Sequence, residues 1–408
     1  MQQPPTTAES PITEYRLPPD KLKQAERLDR IRKTLYVAQT VCGLASLLLL
    51  LQLRLGARFR NWAEAASRYR LVQVAVFAPL LLLTIGVLNL PLGAYRHHLQ
   101  MAYGLSVQGW ASWLCDWTKG QLLSALGLTP LAWGLYAILR RWPGRWWFCA
   151  WLGALPVVVL LVFLHPLVVD PMFNKFDALE ARQPKLVEQI EKIIRRGGLE
   201  IPRSRMFEMR ASEKVTTYNA YVTGIGASKR VVVWDNTARD LPMAQTLFIF
   251  GHEQGHYVLH HIWLGIGAAA LGLFVGLYVA HRAIGVLLAR WGTRWGIRGL
   301  SDWASLPALL LLASWLQFVG EPINAGFSRY LEHQADIYGL EVIHGLVPDS
   351  SQAAAQSFQR LGEKGLSLPA PDPLFVLWTY SHPPIADRVR FALSYQPWRT
   401  GPPARYVN

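Results

Sequence analysis

The stretch LFIFGHEQGH at residues 247–256 joins an apolar run to two histidines that are four residues apart. On a helix, residues at this spacing share a face, so His252 and His256 can bind one metal ion from consecutive turns. Glu253 then lies beside them, where a general base for hydrolysis is needed. A charged turn beside an apolar run is costly to bury unless something pairs the charges, and a divalent cation would do so. The stretch therefore predicts a metal hydrolase rather than two solvated histidines on a polar helix turn.

The composition of the chain is typical of an integral membrane protein. Of its 408 residues, 51% are hydrophobic and only 17% are charged, whereas a soluble domain carries about 25% charged residues. The mean hydropathy of +0.17 agrees with this interpretation. The net charge of +14 comes with Lys and Arg near the ends of apolar runs, where they meet lipid headgroups. No nucleic-acid-binding motif accompanies them, so we expect membrane lipids and no nucleic acid as partners.

Six apolar runs are each close to the ~20 residues that cross the hydrocarbon core of a bilayer. Trp and Arg cluster at several of their ends, as interfacial residues do. The runs therefore predict six transmembrane helices. They lie at about residues 35–53, 71–95, 122–139, 146–169, 262–288 and 303–319.

The polar segment between the fourth and fifth runs contains a helical pattern followed by strand patterns. Apolar residues recur at helical spacing from Lys185 onward. Three short strand patterns then begin near Met206, Ala220 and Val231. No helix breaker separates HEQGH from the fifth apolar run, so we expect the HEQGH helix to continue into the fifth span.

A third metal ligand is needed, because a catalytic zinc site has three protein ligands and one open position. Glu332 is the best candidate, since it follows the sixth apolar run and the membrane hairpin returns it to the depth of His256. Asp336 lies one helical turn further on and could accept the free N–H of a ligand histidine. An ordinary surface pair of acidic residues is the alternative. His260 and His261, one turn beyond His256, could extend the metal face, but they are interpreted as solvated or interfacial.

The expected fold class is mainly α: a polytopic membrane protein with about six transmembrane helices and a small three-stranded β-sheet. The catalytic domain is expected to be zincin-like, of the gluzincin type, and to be built from two separate segments of the chain. The predicted segments are a polar N-terminal arm (1–33), a four-helix transmembrane region (34–169), a first catalytic segment with the HEQGH helix (170–261), a transmembrane hairpin (262–320) and a second catalytic segment with the third ligand (321–408).

Several stretches resemble those of the type I CAAX prenyl endopeptidases, a family of integral-membrane zinc peptidases. They occur in the family's order, and the resemblance covers about residues 15–393. Eukaryotic members of the family have seven spans, whereas six are predicted here. The matching stretches are PMFNKF at 171–176, NAY at 219–221, KRVVVWD at 229–235, HEQGH at 252–256, FSRYLEHQAD at 327–336 and WTYSHPPIADR at 378–388.

The resemblance implies roles around the metal. It implies that His252, His256 and Glu332 bind one zinc ion per chain. Asp336 would support the metal ligands. Glu253 would act as the general base and afterwards as the general acid.

The resemblance also implies roles for residues that contact the substrate. His382 and Arg388 would line the site and stabilise the tetrahedral intermediate or position the substrate. Without the resemblance, the sequence predicts that His382 is part of a turn and that Arg388 is a surface residue of a helix. Asn219, on an edge strand, would hold the substrate backbone, which agrees with the addition of an extended peptide to an exposed sheet edge.

These features predict a membrane-embedded zinc metalloendopeptidase that cleaves membrane-associated or lipid-anchored proteins and peptides. The reaction would serve either CAAX-type processing or membrane-protein quality control. We expect the bacterial inner membrane, with the catalytic side in the cytoplasm, although Lys and Arg on both sides leave the positive-inside rule undecided. One alternative is a proteolytically silent scaffold or chaperone that keeps a structural metal. A transporter is disfavoured, because the spans contain almost no ionisable residues.

Overall fold

The computed structural model of the protein describes residues 10–224, 229–400 and 403–407. Six of its helices are long and apolar enough to cross a membrane, which confirms the predicted number of spans. The helices of the described residues are α1 (Pro19–Gln52), α2 (Leu55–Ala66), α3 (Arg70–Ala102), α4 (Trp110–Arg141), α5 (Trp146–Leu164), α6 (Asp170–Phe173), α7 (Leu179–Arg182), α8 (Pro184–Arg196), α9 (Asp235–Asp240), α10 (Met243–Val258), α11 (His261–Trp291), α12 (Leu306–Ile343), α13 (Ser350–Gly365), α14 (Pro373–Thr379), α15 (Ile385–Ser394) and α16 (Pro397–Thr400). The apolar six are α1, α3, α4, α5, α11 and α12.

The helix that carries HEQGH does not continue into the fifth span, so that prediction is wrong. Helix α10 ends at Val258, and α11 begins only at His261. Between them, His260 has a backbone φ of 59°, in the left-handed region that non-glycine residues rarely adopt. The sequence has neither Gly nor Pro at the break, which is why the pattern gave no sign of it.

Within the described residues, the sheet has four strands rather than the three that the sequence predicts. The strands are β1 (Phe176–Ala178), β2 (Met206–Met209), β3 (Ala220–Thr223) and β4 (Arg230–Trp234), in the order β1-β2-β4-β3. Strand β2 runs parallel to β4, and the other two pairs are antiparallel. The sequence did not reveal β1, because three residues are too few for an alternating pattern. Strand β3 lies at an edge of the sheet.

Residues up to Arg30, together with Asp170–Ile262 and the chain from Pro322 onward, form one compact unit. In this unit, α10 contacts β3, α8 and α13. Gln254 within HEQGH is fully buried and donates a hydrogen bond of 3.2 Å to the carbonyl of Ile193 at the end of α8. The apolar residues of α8 recur at helical spacing and form its buried face. They are Leu186, Val187, Ile190, Ile193 and Ile194.

Residues Ile31–Val169 and Trp263–Glu321 form the second compact unit, which has its own apolar core. A buried ion pair between Arg60 and Asp302 lies within this unit. Many large apolar side chains on its long helices are exposed, among them Leu126 and Val286. Such a surface is unfavourable in water and suits contact with lipid. The largest side chains buried in the core are Phe77, Tyr136, Trp146 and Trp303.

Candidate active site

Glycines allow α10 and α12 to approach each other closely. A Cβ atom at Gly339 of α12 would lie 3.0 Å from the backbone nitrogen of His252. A Cβ atom at Gly251 of α10 would lie 2.7 Å from Val342 Cγ1. Because a larger residue at either position would push the helices apart, the glycines set the spacing at which the two helices present their polar side chains.

The three candidate metal ligands form a compact triangle of two imidazole nitrogens and one carboxylate group. His252 Nε2 lies 3.2 Å from His256 Nε2 and 3.3 Å from Glu332 Oε2. His256 Nε2 lies 3.4 Å from Glu332 Oε1. Ligand atoms of a tetrahedral zinc site with bonds of about 2.0–2.1 Å are about 3.3–3.4 Å apart. One donor atom from each of the three residues lies within 4.8 Å of the other two, so the group could hold a zinc-sized cation.

The electrostatics of the triangle favour positive charge. Burial acts to lower the pKa of His252, but its hydrogen bonds to Asp336 and Glu332 and their negative charges outweigh burial and raise that pKa to about 10. Burial, together with the charge of His252, lowers the pKa of His256 to about 3. The carboxylates of Asp336 and Glu332 thus stabilise positive charge at the site, and a bound divalent cation would supply that charge.

Asp336 connects one ligand histidine to a buried arginine. Its Oδ1 lies 2.9 Å from His252 Nδ1. The Arg388 guanidinium donates two hydrogen bonds to the same carboxylate, of 2.9 Å from Nε and 2.6 Å from Nη2. Asp336 and Arg388 are both buried. Bidentate pairing of this kind fixes the carboxylate in one orientation, and the carboxylate in turn fixes the ring of His252.

A cleft of about 490 Å³ lies beside the triangle. Glu253 lines it, and burial raises the pKa of its carboxyl to about 7. His382 also lines the cleft, is exposed, and places Nε2 3.2 Å from Glu332 Oε2. A carboxylate and an imidazole thus flank the space next to the candidate metal ligands, and side chains of these two types can serve acid–base chemistry on a bound carbonyl.

Asn219 lies at the rim of the same cleft, immediately before the edge strand β3. Its backbone N–H donates to Thr237 Oγ1 at 2.8 Å, and its carbonyl accepts from the same hydroxyl at 2.8 Å. Its side-chain oxygen accepts from the N–H of Ala220 at 2.8 Å. These bonds fix the position of Asn219 at the rim of the cleft, next to the edge of the sheet.

Two polar residues near the site were missed by the sequence reasoning. His261 is only 4% exposed, and its Nδ1 lies 3.0 Å from His256 Nδ1, so its interpretation as solvated or interfacial is wrong. Arg329 donates from Nη1 to the carbonyls of Val376 and Tyr380, at 2.9 and 2.7 Å, and so holds the turn that carries His382. The sequence gives no local signal for either role. Arg329 contacts a segment that is distant in sequence, and His261 contacts His256 only because the helix breaks before α11.

Two family models match this chain. The model of peptidase family M48 matches residues 180–396, which contain all of the site residues described above. The model described as "CAAX prenyl protease N-terminal, five membrane helices" matches residues 3–175. Fold and site together define an integral-membrane metallopeptidase. The chain belongs to peptidase family M48, and this family implies a metal, typically zinc.

The chain is also similar to individual proteins over most of its length. It is 32% identical to the uncharacterized metalloprotease YhfN of Bacillus subtilis, over 92% of this chain and 86% of that protein. It is 25% identical to the human CAAX prenyl protease 1 homolog, over 83% of this chain and 77% of that protein. The crystal structure of S. mikatae Ste24p has the same fold, with a TM-score of 0.77, 23% identity, and coverage of 95% of this chain and 92% of that one.

Proposed function

We propose that the protein hydrolyses peptide bonds with one zinc ion held by His252, His256 and Glu332. The observation that carries this proposal is the triangle of donor atoms beside Glu253 in the cleft. When bound, zinc would polarise the scissile carbonyl and bring the pKa of water to about 7. A structural zinc site normally has four protein ligands, whereas three are brought together among the described residues. A catalytic site is therefore favoured over a silent scaffold.

We propose that Glu253 moves the proton. Its carboxylate lines the cleft next to the metal ligands, and a pKa near neutrality suits a group that both accepts and returns a proton. It would take a proton from the attacking water and give it to the leaving amine. His382 Nε2 is the nearby imidazole donor that would stabilise the negative charge on the carbonyl oxygen.

Arg388 is proposed to act through Asp336. Its guanidinium makes two hydrogen bonds to that carboxylate and lies 4.3 Å from the centre of the Phe358 ring. This engagement supports a positioning role, in which Arg388 orients Asp336 and Asp336 orients His252. Asn219 is proposed to align the substrate backbone along β3, where an extended peptide can add as a further strand.

The substrates are proposed to be membrane-associated or lipid-anchored proteins and peptides, and membrane lipids are proposed to surround the chain. Six apolar helices support access from the bilayer, and the CAAX prenyl protease relatives support lipid-modified substrates. The similarity to a Bacillus subtilis protein supports a bacterial source, and the inner membrane is proposed as the location. The catalytic unit is proposed to face the cytoplasm.

Glu253→Gln tests the catalytic proposal. Purified protein in detergent would be given internally quenched peptides that end in a farnesylated CAAX sequence, with an unlipidated set in parallel. We expect Glu253→Gln to lower kcat at least ~100-fold while zinc content, measured by mass spectrometry, stays at one ion per chain. Glu188→Gln on the exposed face of α8 is the matched control. Wild-type activity in Glu253→Gln would contradict the assignment of the base.

The proposed orientation is tested by labelling in cells. A single cysteine replaces Glu188 in a chain whose Cys42, Cys115 and Cys149 are changed to serine. A membrane-impermeant maleimide is expected to label this cysteine only after the inner membrane is opened. Labelling of intact spheroplasts would place the catalytic unit on the outer side.

A further inference from the structure

His261 is a buried histidine that directly contacts one of the proposed metal ligands. It is 4% exposed, and its ring centre lies 5.0 Å from that of His256, at an interplanar angle of 75°. The two Nδ1 atoms are 3.0 Å apart, which is hydrogen-bond distance. His256 Nε2 belongs to the triangle of donor atoms, so this contact is made through the opposite nitrogen of the ligand ring.

The break between α10 and α11 makes this contact possible. On an uninterrupted helix, a residue five positions on is rotated by about 140° from His256 and cannot face it. The left-handed conformation of His260, with φ 59°, interrupts the rotation and turns the start of α11 toward the site. A non-glycine residue in this region is sterically disfavoured, and such residues persist where the surrounding structure requires them.

A chain of hydrogen bonds continues from His261 to α12. His261 Nε2 lies 3.1 Å from Gln334 Oε1, and Gln334 Nε2 donates to the hydroxyl of Tyr330 at 3.0 Å. An amide oxygen only accepts, so His261 Nε2 carries the proton and its Nδ1 is an acceptor. His256 must then donate from Nδ1, which leaves the lone pair of its Nε2 directed at the donor triangle.

The two ligand histidines are therefore supported by different chemistry. His252 faces the Asp336 carboxylate, which Arg388 holds in place. His256 faces a neutral imidazole that a glutamine holds in place. Both arrangements leave Nε2 free to bind a metal, because each accepts the proton on Nδ1 of the ligand ring.

We propose that His261 is a positioning residue for the metal centre: held by the break at His260 and by Gln334, it fixes His256 in the tautomer and orientation that bind the metal. The inference rests on the proposed zinc site. It also assigns a purpose to the strained residue between the two helices, namely the placement of His261.

Zinc affinity, measured by competition with a fluorescent chelator, tests the proposal. Partners of ligand histidines typically contribute 10–100-fold to metal affinity, so we expect His261→Ala to weaken zinc binding by that factor and to speed zinc release. Gln334→Ala keeps His261 in place but removes its acceptor, and we expect a smaller loss, of about 3–10-fold. Gln334→Glu supplies a carboxylate acceptor at the same position, so we expect its zinc affinity to equal or exceed that of the wild type. Cobalt substitution supplies a second readout, because a displaced ligand ring changes the visible absorption of the bound ion.

His98→Ala is the matched control, because it removes an exposed histidine of α3 that is not part of the catalytic unit. It is expected to bind zinc as the wild type does. If zinc affinity, release rate and cobalt spectrum stay within twofold of wild type in both His261→Ala and Gln334→Ala, the proposal is overturned. If instead the wild type binds zinc no more tightly than His252→Ala does, the proposed zinc site itself is wrong.

Discussion

The two walls of the cleft are held by different interactions. The wall from α10 carries His252 and Glu253. Glu332 of α12 contacts His252, and a buried ion pair between Asp336 and Arg388 stabilises this charged group. The opposite wall comes from α13 and from the residues after it as far as Ile385; it includes His382 but no carboxylate, and part of it is apolar. The side chains of this second wall that line the cleft include Phe358, Leu361 and Leu368.

The opposite wall is fixed mainly by hydrogen bonds to backbone groups. The N-terminal arm lies along α13, where Gln352 pairs with both the N–H and the carbonyl of Ile12, at 2.9 and 3.0 Å. The buried Tyr15 donates to the carbonyl of Ser367 at 2.7 Å. The difference between the walls predicts that changes in the charged wall remove activity, whereas changes in the opposite wall alter rate or substrate affinity in small steps.

Asp336→Asn should have the largest effect. It removes one charge of a buried pair and leaves the Arg388 guanidinium without its carboxylate, which typically costs about 3–5 kcal/mol of stability. It also removes the group that orients His252, so zinc content and kcat should both fall at least ~10-fold. Thermal unfolding and metal analysis on the same preparation measure both effects. A variant with wild-type zinc content would show that the charged wall is not needed for the metal.

Gly339→Ala tests whether helix spacing sets the geometry of the charged wall. The added methyl would lie 3.0 Å from the backbone nitrogen of His252, and overpacking of this kind typically costs about 1–3 kcal/mol. We expect a lower unfolding temperature and weaker zinc binding. Gly326→Ala in the same helix meets only an ordinary contact, 3.7 Å from Arg329 Nη2, and should leave both unchanged. If Gly339→Ala and Gly326→Ala had the same unfolding temperature and zinc affinity, the close approach of the helices would not set the geometry of the charged wall.

Arg329→Gln tests the turn that carries His382. The substitution removes the hydrogen bonds to the carbonyls of Val376 and Tyr380. Because this turn is not part of the metal ligand set, we expect kcat to fall about tenfold with zinc content unchanged. Arg390→Gln, at an exposed position of α15, is the control. Loss of zinc in Arg329→Gln would mean that the turn carrying His382 also supports the metal ligands.

Tyr15→Phe should have the smallest effect. It deletes one hydrogen bond to Ser367, worth about 1 kcal/mol, and leaves the ring packed against Gly362. We expect KM to rise about two- to threefold with kcat nearly constant, together with faster amide exchange in residues 12–18. An unchanged KM alongside faster exchange would show that the arm does not shape the cleft.

The sequence predicted those features that depend on local pattern. The six spans follow from runs of about 20 apolar residues, and the ligand pair follows from the spacing of His252 and His256. The strand β1 was missed, because its three residues are placed by pairing with β2 rather than by a pattern of their own. The contact between His261 and His256 was missed, because it depends on the left-handed backbone conformation of His260, which the residue types at the break do not predict.

The most direct test of the metal centre is a crystal structure with anomalous diffraction measured on both sides of the zinc absorption edge. We predict one anomalous peak per chain, within about 2.0–2.2 Å of His252 Nε2, His256 Nε2 and a Glu332 oxygen. A peak bound by other residues, or no peak in protein that cleaves peptide, would contradict the account.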